Sequence, residues 1–339
     1  VAGVQIDVML ANDPVGAAAR ARELAALGVD GVFSFENAHD VFFPLVAASG
    51  ATDLDLMTNV AIAFPRSPVH LAHAAFDLQV LAQGRFRLGL GSQVRAHVER
   101  RYGSTWSRPV ARMREMVQAV HAIFAAWEGQ GRLDFRGEFT SHTYMPPTFD
   151  PGPNPFGPPP VLVGALGPKM VEMTAEVADG ILVMPFNSAR HMEERTVPAM
   201  ERGLEASGRT FADLEVICEA IVAVGRGDEE LAAATAGVRG LLAFYGSTPA
   251  YRPVLEVEGC ADLQPRLQAM TREGRWDEMA SLIDDDLVSR LAVVGTPEEC
   301  ATEIARRFGA VSDRVCCYFP GYPVEDRRIG ELATALHAV

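Results

Sequence analysis

Apolar runs rich in β-branched and aromatic residues alternate along the chain with stretches whose apolar positions recur at helical spacing. The first pattern predicts strands and the second helices. Strands are predicted at residues 4–10, 31–35, 54–63, 86–90, 161–164, 180–184, 214–224 and 314–319. Asp13-Pro14 opens an Ala/Arg/Leu helix that ends at Gly28, Ser67-Pro68 opens one that runs to about Gly84, and further helices begin near Pro168 and Ser188. A last helix closes the chain up to Ala338. Ser67-Pro68 and Thr296-Pro297 pair an N-cap side chain with a proline at the first helical position, where its missing N–H costs nothing.

Strands that alternate with helices form a parallel sheet, and eight of them is the count of a (β/α)8 TIM barrel. A doubly wound sheet shares the local pattern with fewer strands. A barrel needs about 250 residues, so the 339 residues are read as one domain with insertions after strands 4 and 7, at about 93–160 and 228–291. The first contains a helix near 109–127, a hairpin-like stretch at 129–139 and a Pro/Gly-rich stretch at 146–160. The second is largely helical. Both leave the carboxyl ends of strands, where barrels carry their chemistry, and are expected to serve as lids or substrate walls.

Charge narrows the partners. With 44 acidic against 30 basic residues the formal charge is −14, which repels phosphate backbones and anionic headgroups and argues against nucleic-acid or membrane-surface binding. Of the basic residues 29 are Arg and one, Lys169, is Lys, as a GC-rich coding sequence favours. Apolar residues make up 48% of the chain, far from the composition of disorder. No apolar run approaches the roughly 20 residues of a membrane span, and no secretory leader opens the sequence. Five cysteines without a C-x-x-C pair predict a reduced, cytoplasmic protein lacking disulfides and zinc. Adjacent Cys316 and Cys317 are expected on opposite faces of a strand.

Several motifs bear on chemistry. His70, His73 and Asp77 share one helix face, but no Glu general base sits between the histidines; they read as a solvated stripe, and no metal is expected. Gly89-Leu90-Gly91 opens like a dinucleotide fingerprint, yet Val94 stands where the third glycine belongs, so it predicts a tight turn ending the fourth strand. Gly164-Ala165-Leu166-Gly167, between an apolar strand and Pro168, fits either a plain strand-to-helix turn or a phosphate cradle. Glu36, Asn37, His39 and Asp40 follow the second strand, and titratable groups there read as catalytic or as the cap of the next helix. The absence of a G-x-S-x-G elbow, a P-loop and an H-E-x-x-H motif weakens hydrolase, NTPase and zinc-protease readings.

Gly28-Val29-Asp30-Gly31-Val32-Phe33, Thr58-Asn59-Val60-Ala61-Ile62-Ala63-Phe64 with Arg66-Ser67-Pro68, and Gly84-Arg85-Phe86-Arg87-Leu88-Gly89-Leu90-Gly91-Ser92 recur in order. Residues 161–167, Ala178-Asp179-Gly180 and Val294-Gly295-Thr296-Pro297-Glu298-Glu299 continue the series. In order and spacing these segments resemble the bacterial luciferase-like monooxygenase superfamily of flavin and deazaflavin oxidoreductases. The resemblance spans most of the chain except much of 228–291. His39-Asp40 with Phe42-Phe43-Pro44-Leu45, and Gly91-Ser92-Gln93 with His97, are similar to the branch assigned to coenzyme F420.

The resemblance implies a flavin or deazaflavin ring at the carboxyl ends of the barrel strands and a non-proline cis peptide closing the third strand, here Asn59-Val60. It assigns ring contacts to Asn59, Val60, Ala61 and Ser92, and backbone phosphate contacts to Gly164, Ala165, Leu166 and Gly167, with Lys169 beside them. Glu36 and His39 stand where relatives often carry Asp-His, so the implied reaction is F420-dependent hydride transfer with a small organic substrate. His39 first, and Glu36 second, exchanges the accompanying proton. Trp106 is expected to wall the substrate pocket. The alternatives are a monooxygenase using FMN reduced by a separate reductase, and a flavin-binding barrel without turnover. The family implies a homodimer, for which the apolar run 41–48 is a candidate face.

Overall fold

The structure, a computed structural model, describes residues 3–10 and 13–339. Eight parallel strands close on themselves: β1 (Gln5–Met9), β2 (Gly31–Ser34), β3 (Asp55–Thr58), β4 (Phe86–Gly91), β5 (Val161–Ala165), β6 (Gly180–Val183), β7 (Glu215–Val224) and β8 (Arg314–Tyr318). Each pairs with the next, and β8 returns to β1 through the register Gln5↔Arg314 to Val8↔Cys317. Every strand expected from the sequence is present, and the fold is a (β/α)8 barrel. The stretch predicted as one third strand is broken. Chain direction changes at Asn59-Val60, which is cis, and Ala61–Ile62 resumes pairing with Leu90 and Gly91 of β4. A short strand not foreseen, Val293–Gly295, pairs with the far end of β7.

Side-chain alternation sorts the strand residues between two cores. Outward residues such as Val8, Leu56, Val163, Cys218 and Cys317 pack beneath the helices. Inward residues Phe33, Met57, Leu162, Leu182, Ile217 and Cys316 form a separate plug inside the barrel. Cys316 and Cys317 therefore do face opposite sides, and all five cysteines are free. Below the plug the barrel is closed by charge: Arg314 bonds Asp7 at 2.7 Å and Asp55 at 2.5 Å, and Arg87 bonds Asp55 at 3.1 Å and Glu215 at 2.8 Å. Arg314 and Asp7 are buried, and buried charges persist only when paired, as these are.

The insertions divide differently from expectation. Only the first part of 93–160 crosses the carboxyl face, where Tyr102 reaches Glu36 and Ser104 bonds the Phe64 carbonyl at 3.2 Å. Helix Pro109–Trp127 takes the fourth place in the outer helix ring, with Trp127 against Phe76 on one side and Arg114 bonded to Glu176 on the other. The hairpin Phe135–Arg136/Ser141–His142 wraps the outside of that helix, its turn amides at Glu138, Phe139 and Thr140 donating to Glu115. Phe156 then packs beneath Gly84, at the amino end of β4. Of the first insertion only about 93–108 lies across the carboxyl face, because the rest is drawn to the outer helix and the amino end by its own contacts.

The second insertion does lie on the carboxyl face. Helices Asp228–Gly246, Arg252–Val257, Leu263–Glu273 and Asp285–Leu291 build a core of their own with Leu166, Phe186, Ile221 and Ala223. Those four residues come from the ends of β5, β6 and β7, so the insertion roofs that side of the barrel. Among the described residues no helix is long and apolar enough to cross a membrane. In the run 41–48, Val41, Leu45 and Ala48 are buried while Phe43 and Val46 are exposed.

Candidate active site at the carboxyl end of the barrel

The mouth is shaped first by a bulge. Thr58 Oγ1 donates to the Gly89 carbonyl at 2.8 Å and accepts from the Gly89 N–H at 2.9 Å, riveting the end of β3 to β4. Beyond it Asn59 N donates to the Ser34 carbonyl, and the Val60 side chain turns onto the inner plug. This explains the Gly89-Leu90-Gly91 motif. A Cβ on Gly89 would stand 1.9 Å from the Thr58 carbonyl oxygen, and one on Gly91 would stand 2.3 Å from Val60 Cγ2. Both glycines lie inside β4. The predicted tight turn is therefore absent; the glycines admit a close neighbour. Gly164 of β5 approaches the other methyl of the same side chain, its Cβ position 3.2 Å from Val60 Cγ1.

One tier above the plug sits a carboxyl that the sequence reading passed over. Glu219 is two residues beyond the inward Ile217 of β7, and Tyr318 two beyond the inward Cys316 of β8, so both point into the mouth. Glu219 is only partly buried by its exposed surface, so its side chain keeps some access from the mouth. Burial pushes its carboxyl up to about 8, against the side-chain amide of Asn59, which favours the charged form. Asn59 Nδ2 itself is buried and meets no hydrogen-bond partner in good geometry among the described residues. Tyr245 and Tyr251 of the second insertion complete the surround, in edge contact at 5.7 Å. Burial raises Tyr245, Tyr251 and Tyr318 above the usual phenol value, and the Glu219 charge adds to each. The signal in the sequence was a lone acid in the middle of the apolar run at 216–224.

The loop after β2 is organised by Glu36. Its side chain is 7% exposed, and its two oxygens take the Ile62 N–H (3.0 Å), Arg66 (2.5 Å) and the Tyr102 hydroxyl (2.8 Å). Burial, and then Glu36, pushes Tyr102 up to about 12. Arg66 also reaches Asp40, whose other oxygen accepts from Phe42 N and so starts the following helix. His39 is exposed on the rim and makes no hydrogen bond or ion pair among the described residues.

At the end of β5, Gly164 and Ala165 are strand residues, Leu166 turns into the second insertion's core, and Gly167 caps helix Pro168–Val177 with open space where a Cβ would be. Lys169 is exposed in the first turn and forms no ion pair among the described residues. Ser92 follows β4, and Ala61 is fully buried. Trp106 packs on Phe64 at 5.5 Å in the outer core. His70, His73 and Asp77 are exposed, with His73 stacked on Trp127. Among the described residues no group of three His, Cys, Asp or Glu side chains is gathered around a common point. The fold thus brings Asn59, Val60 and Gly164 together with Glu219, and leaves His39, Lys169 and Trp106 at or beyond the rim.

Residues 4–314 match the family described as luciferase-like monooxygenase. An uncharacterised protein of Mycobacterium tuberculosis is 44% identical over 93% of this chain and 93% of its own length. A second protein of that organism, provisionally titled a coenzyme F420-dependent oxidoreductase, is 29% identical over 89% of this chain and 90% of its own. The coenzyme F420-dependent tetrahydromethanopterin reductase of Methanopyrus kandleri superposes with a TM-score of 0.80 at 18% identity, over 98% of each chain.

Proposed function

The chain belongs to the luciferase-like monooxygenase family, and from that premise we propose that it is a coenzyme F420-dependent oxidoreductase acting on a small organic substrate. The observation that carries this reading is the Val60 bulge, whose two methyls are given room by Gly91 and Gly164. It is a firm apolar platform at the floor of an otherwise polar mouth, suited to the face of a planar ring. The donor set fits as well: Asn59 Nδ2 is buried, lies beside the Glu219 carboxyl and forms no well-aligned hydrogen bond among the described residues, and a deazaflavin edge is rich in carbonyl and ring-nitrogen acceptors. When bound, the cofactor supplies a hydride donor or acceptor.

The chain's residues then divide the work. Val60 and Asn59 support and orient the ring, with the Ala61 backbone and Ser92 bordering it. Gly164, Ala165, Leu166 and Gly167 offer backbone to the phosphate at the start of helix Pro168–Val177, whose first-turn amides carry a favourable partial charge. Lys169 adds a screened charge beside them. Glu36, committed to Arg66, Tyr102 and Ile62 N, holds the rim loop in place, and His39 contacts the substrate from that loop. Trp106 backs the wall through Phe64. The second insertion, locked to the loop after β6 by Ser188 and Arg290 on Glu258, excludes water from above.

Fluorescence titration of the purified chain with F420 and, separately, with FMN tests this reading. Saturable F420 binding that is lost in Val60→Asp supports it. Tight FMN binding without F420 binding transfers the site to the two-component monooxygenase reading, with a separate reductase as partner. Binding of neither overturns both.

A further inference from the structure

Among the described residues, the groups that act on Glu219 or feel its charge are neutral side chains and weak acids. Asn59 approaches from the end of β3, Tyr318 and Cys316 from β8, Tyr245 from helix Asp228–Gly246 and Tyr251 from the turn after it, with Cys218 its neighbour on β7. Among the described residues no cation acts on it, whereas the other inward acid of β7, Glu215, is paired with Arg87. A carboxyl that points into the mouth one tier above the apolar plug, partly exposed and with no cation beside it, holds its proton more tightly than a solvated one and can hand it to a group bound in the mouth. The rim acid Glu36 cannot do so without giving up its bonds to Arg66 and Ile62 N.

We propose that Glu219 is a catalytic residue of this site, exchanging the proton that accompanies hydride transfer. The inference rests on the oxidoreductase reading above and moves the proton from His39 to the barrel floor. In the reducing direction an electrophilic C=O or C=N carbon of the substrate gains the hydride supplied by the reduced cofactor. The π pair moves to the heteroatom, which forms its new bond to the proton leaving Glu219. The carboxylate so formed recovers a proton from water entering the mouth. In the oxidising direction the same carboxylate accepts the proton as the C–H bond breaks.

The test begins without any cofactor. Carboxyl 13C NMR of the Glu-labelled chain is expected to show one resonance titrating between about pH 7 and 9, missing in Glu219→Gln and present, shifted, in the Asp-labelled Glu219→Asp variant. With the cofactor that binds in the titrations above, Glu219→Gln is expected to lower kcat at least 100-fold at nearly unchanged cofactor affinity, Glu219→Asp to recover part of it, and His39→Ala to act mainly on KM. A Glu219 resonance titrating in the ordinary carboxylate range, or wild-type kcat in Glu219→Gln, overturns the proposal. Loss of cofactor binding in the wild-type chain defeats the oxidoreductase reading instead, and leaves the titration of Glu219 standing as measured.

Discussion

Gly91 and Val60 occupy each other's space: a methyl group on residue 91 would lie 2.3 Å from Val60 Cγ2. The bulge that shapes the mouth therefore depends on a missing side chain on the neighbouring strand. Gly91→Ala forces Val60 out of its position and is expected to cost about 1–3 kcal/mol, the usual range for an overpacked core. Cofactor affinity should fall at least tenfold in the same variant. Adding Val60→Ala relieves the clash, so the double variant should regain the urea midpoint but not the affinity. A Gly91→Ala protein that binds cofactor like wild type would remove the bulge from the site.

The pH dependence of stability reports Glu219 independently of turnover. Its folded-state carboxyl is raised to about 8 from the usual 4.5, by burial and against Asn59. The folded state therefore holds a proton that the unfolded chain releases earlier, and stability declines as pH rises from about 4.5 to about 8, then levels off. Glu219→Gln cannot ionise and lacks that slope. The variant is expected to match wild type in denaturant midpoint at pH 4.5 and to exceed it at pH 9 by the equivalent of a few kcal/mol. Equal midpoints at both values would mean that the carboxyl is well solvated.

The rim loop makes a separate prediction. Glu36→Ala leaves the Arg66 guanidinium, the Ile62 N–H and the Tyr102 hydroxyl without their shared acceptor. Unpairing a largely buried ion pair costs on the order of 3 kcal/mol. Tyr102 also loses the second of the two influences that raise it to about 12, so its phenolate should form at lower pH while still remaining above an exposed tyrosine. Ultraviolet difference titration against a Tyr102→Phe blank reads this directly. An unmoved Tyr102 would dissolve the proposed clamp.

The strands were legible because parallel strands covered on both faces read as continuous apolar runs, and all eight stood between clear turn signals. Tertiary approach was not legible. Gly89 and Gly91 look like a turn locally; only the bulge arriving from β3 shows them to be strand residues. The fate of the 129–160 stretch depended on where Phe156 and Glu115 find partners, at Gly84 and at the hairpin amides. Glu219 was visible as an acid in the middle of an apolar strand, but its direction follows from the register Glu219↔Cys316, which pairing alone fixes. Residues chosen by motif at 36–40 proved to be partly committed to one another, since a loop so rich in charge near Arg66 satisfies itself.

The lone lysine closes the electrostatic question that the −14 charge raises. The anionic cofactor proposed above would bind against a repulsive global field, which leaves its phosphate to local dipoles. Gly167 and the first turn of helix Pro168–Val177 supply amides at short range, whereas Lys169 is exposed and its charge is screened within about 10 Å at 0.1 M salt. A surface charge at a helix start contributes about 0.3–1 kcal/mol. Lys169→Ala is therefore expected to weaken cofactor binding by only about two- to fivefold, and that margin should vanish at 0.5 M salt. Gly167→Pro, which removes an amide and stiffens the turn, should cost far more and stay costly in salt. Should Lys169→Ala abolish binding, the phosphate is held by the ammonium, and the backbone cradle is the wrong assignment.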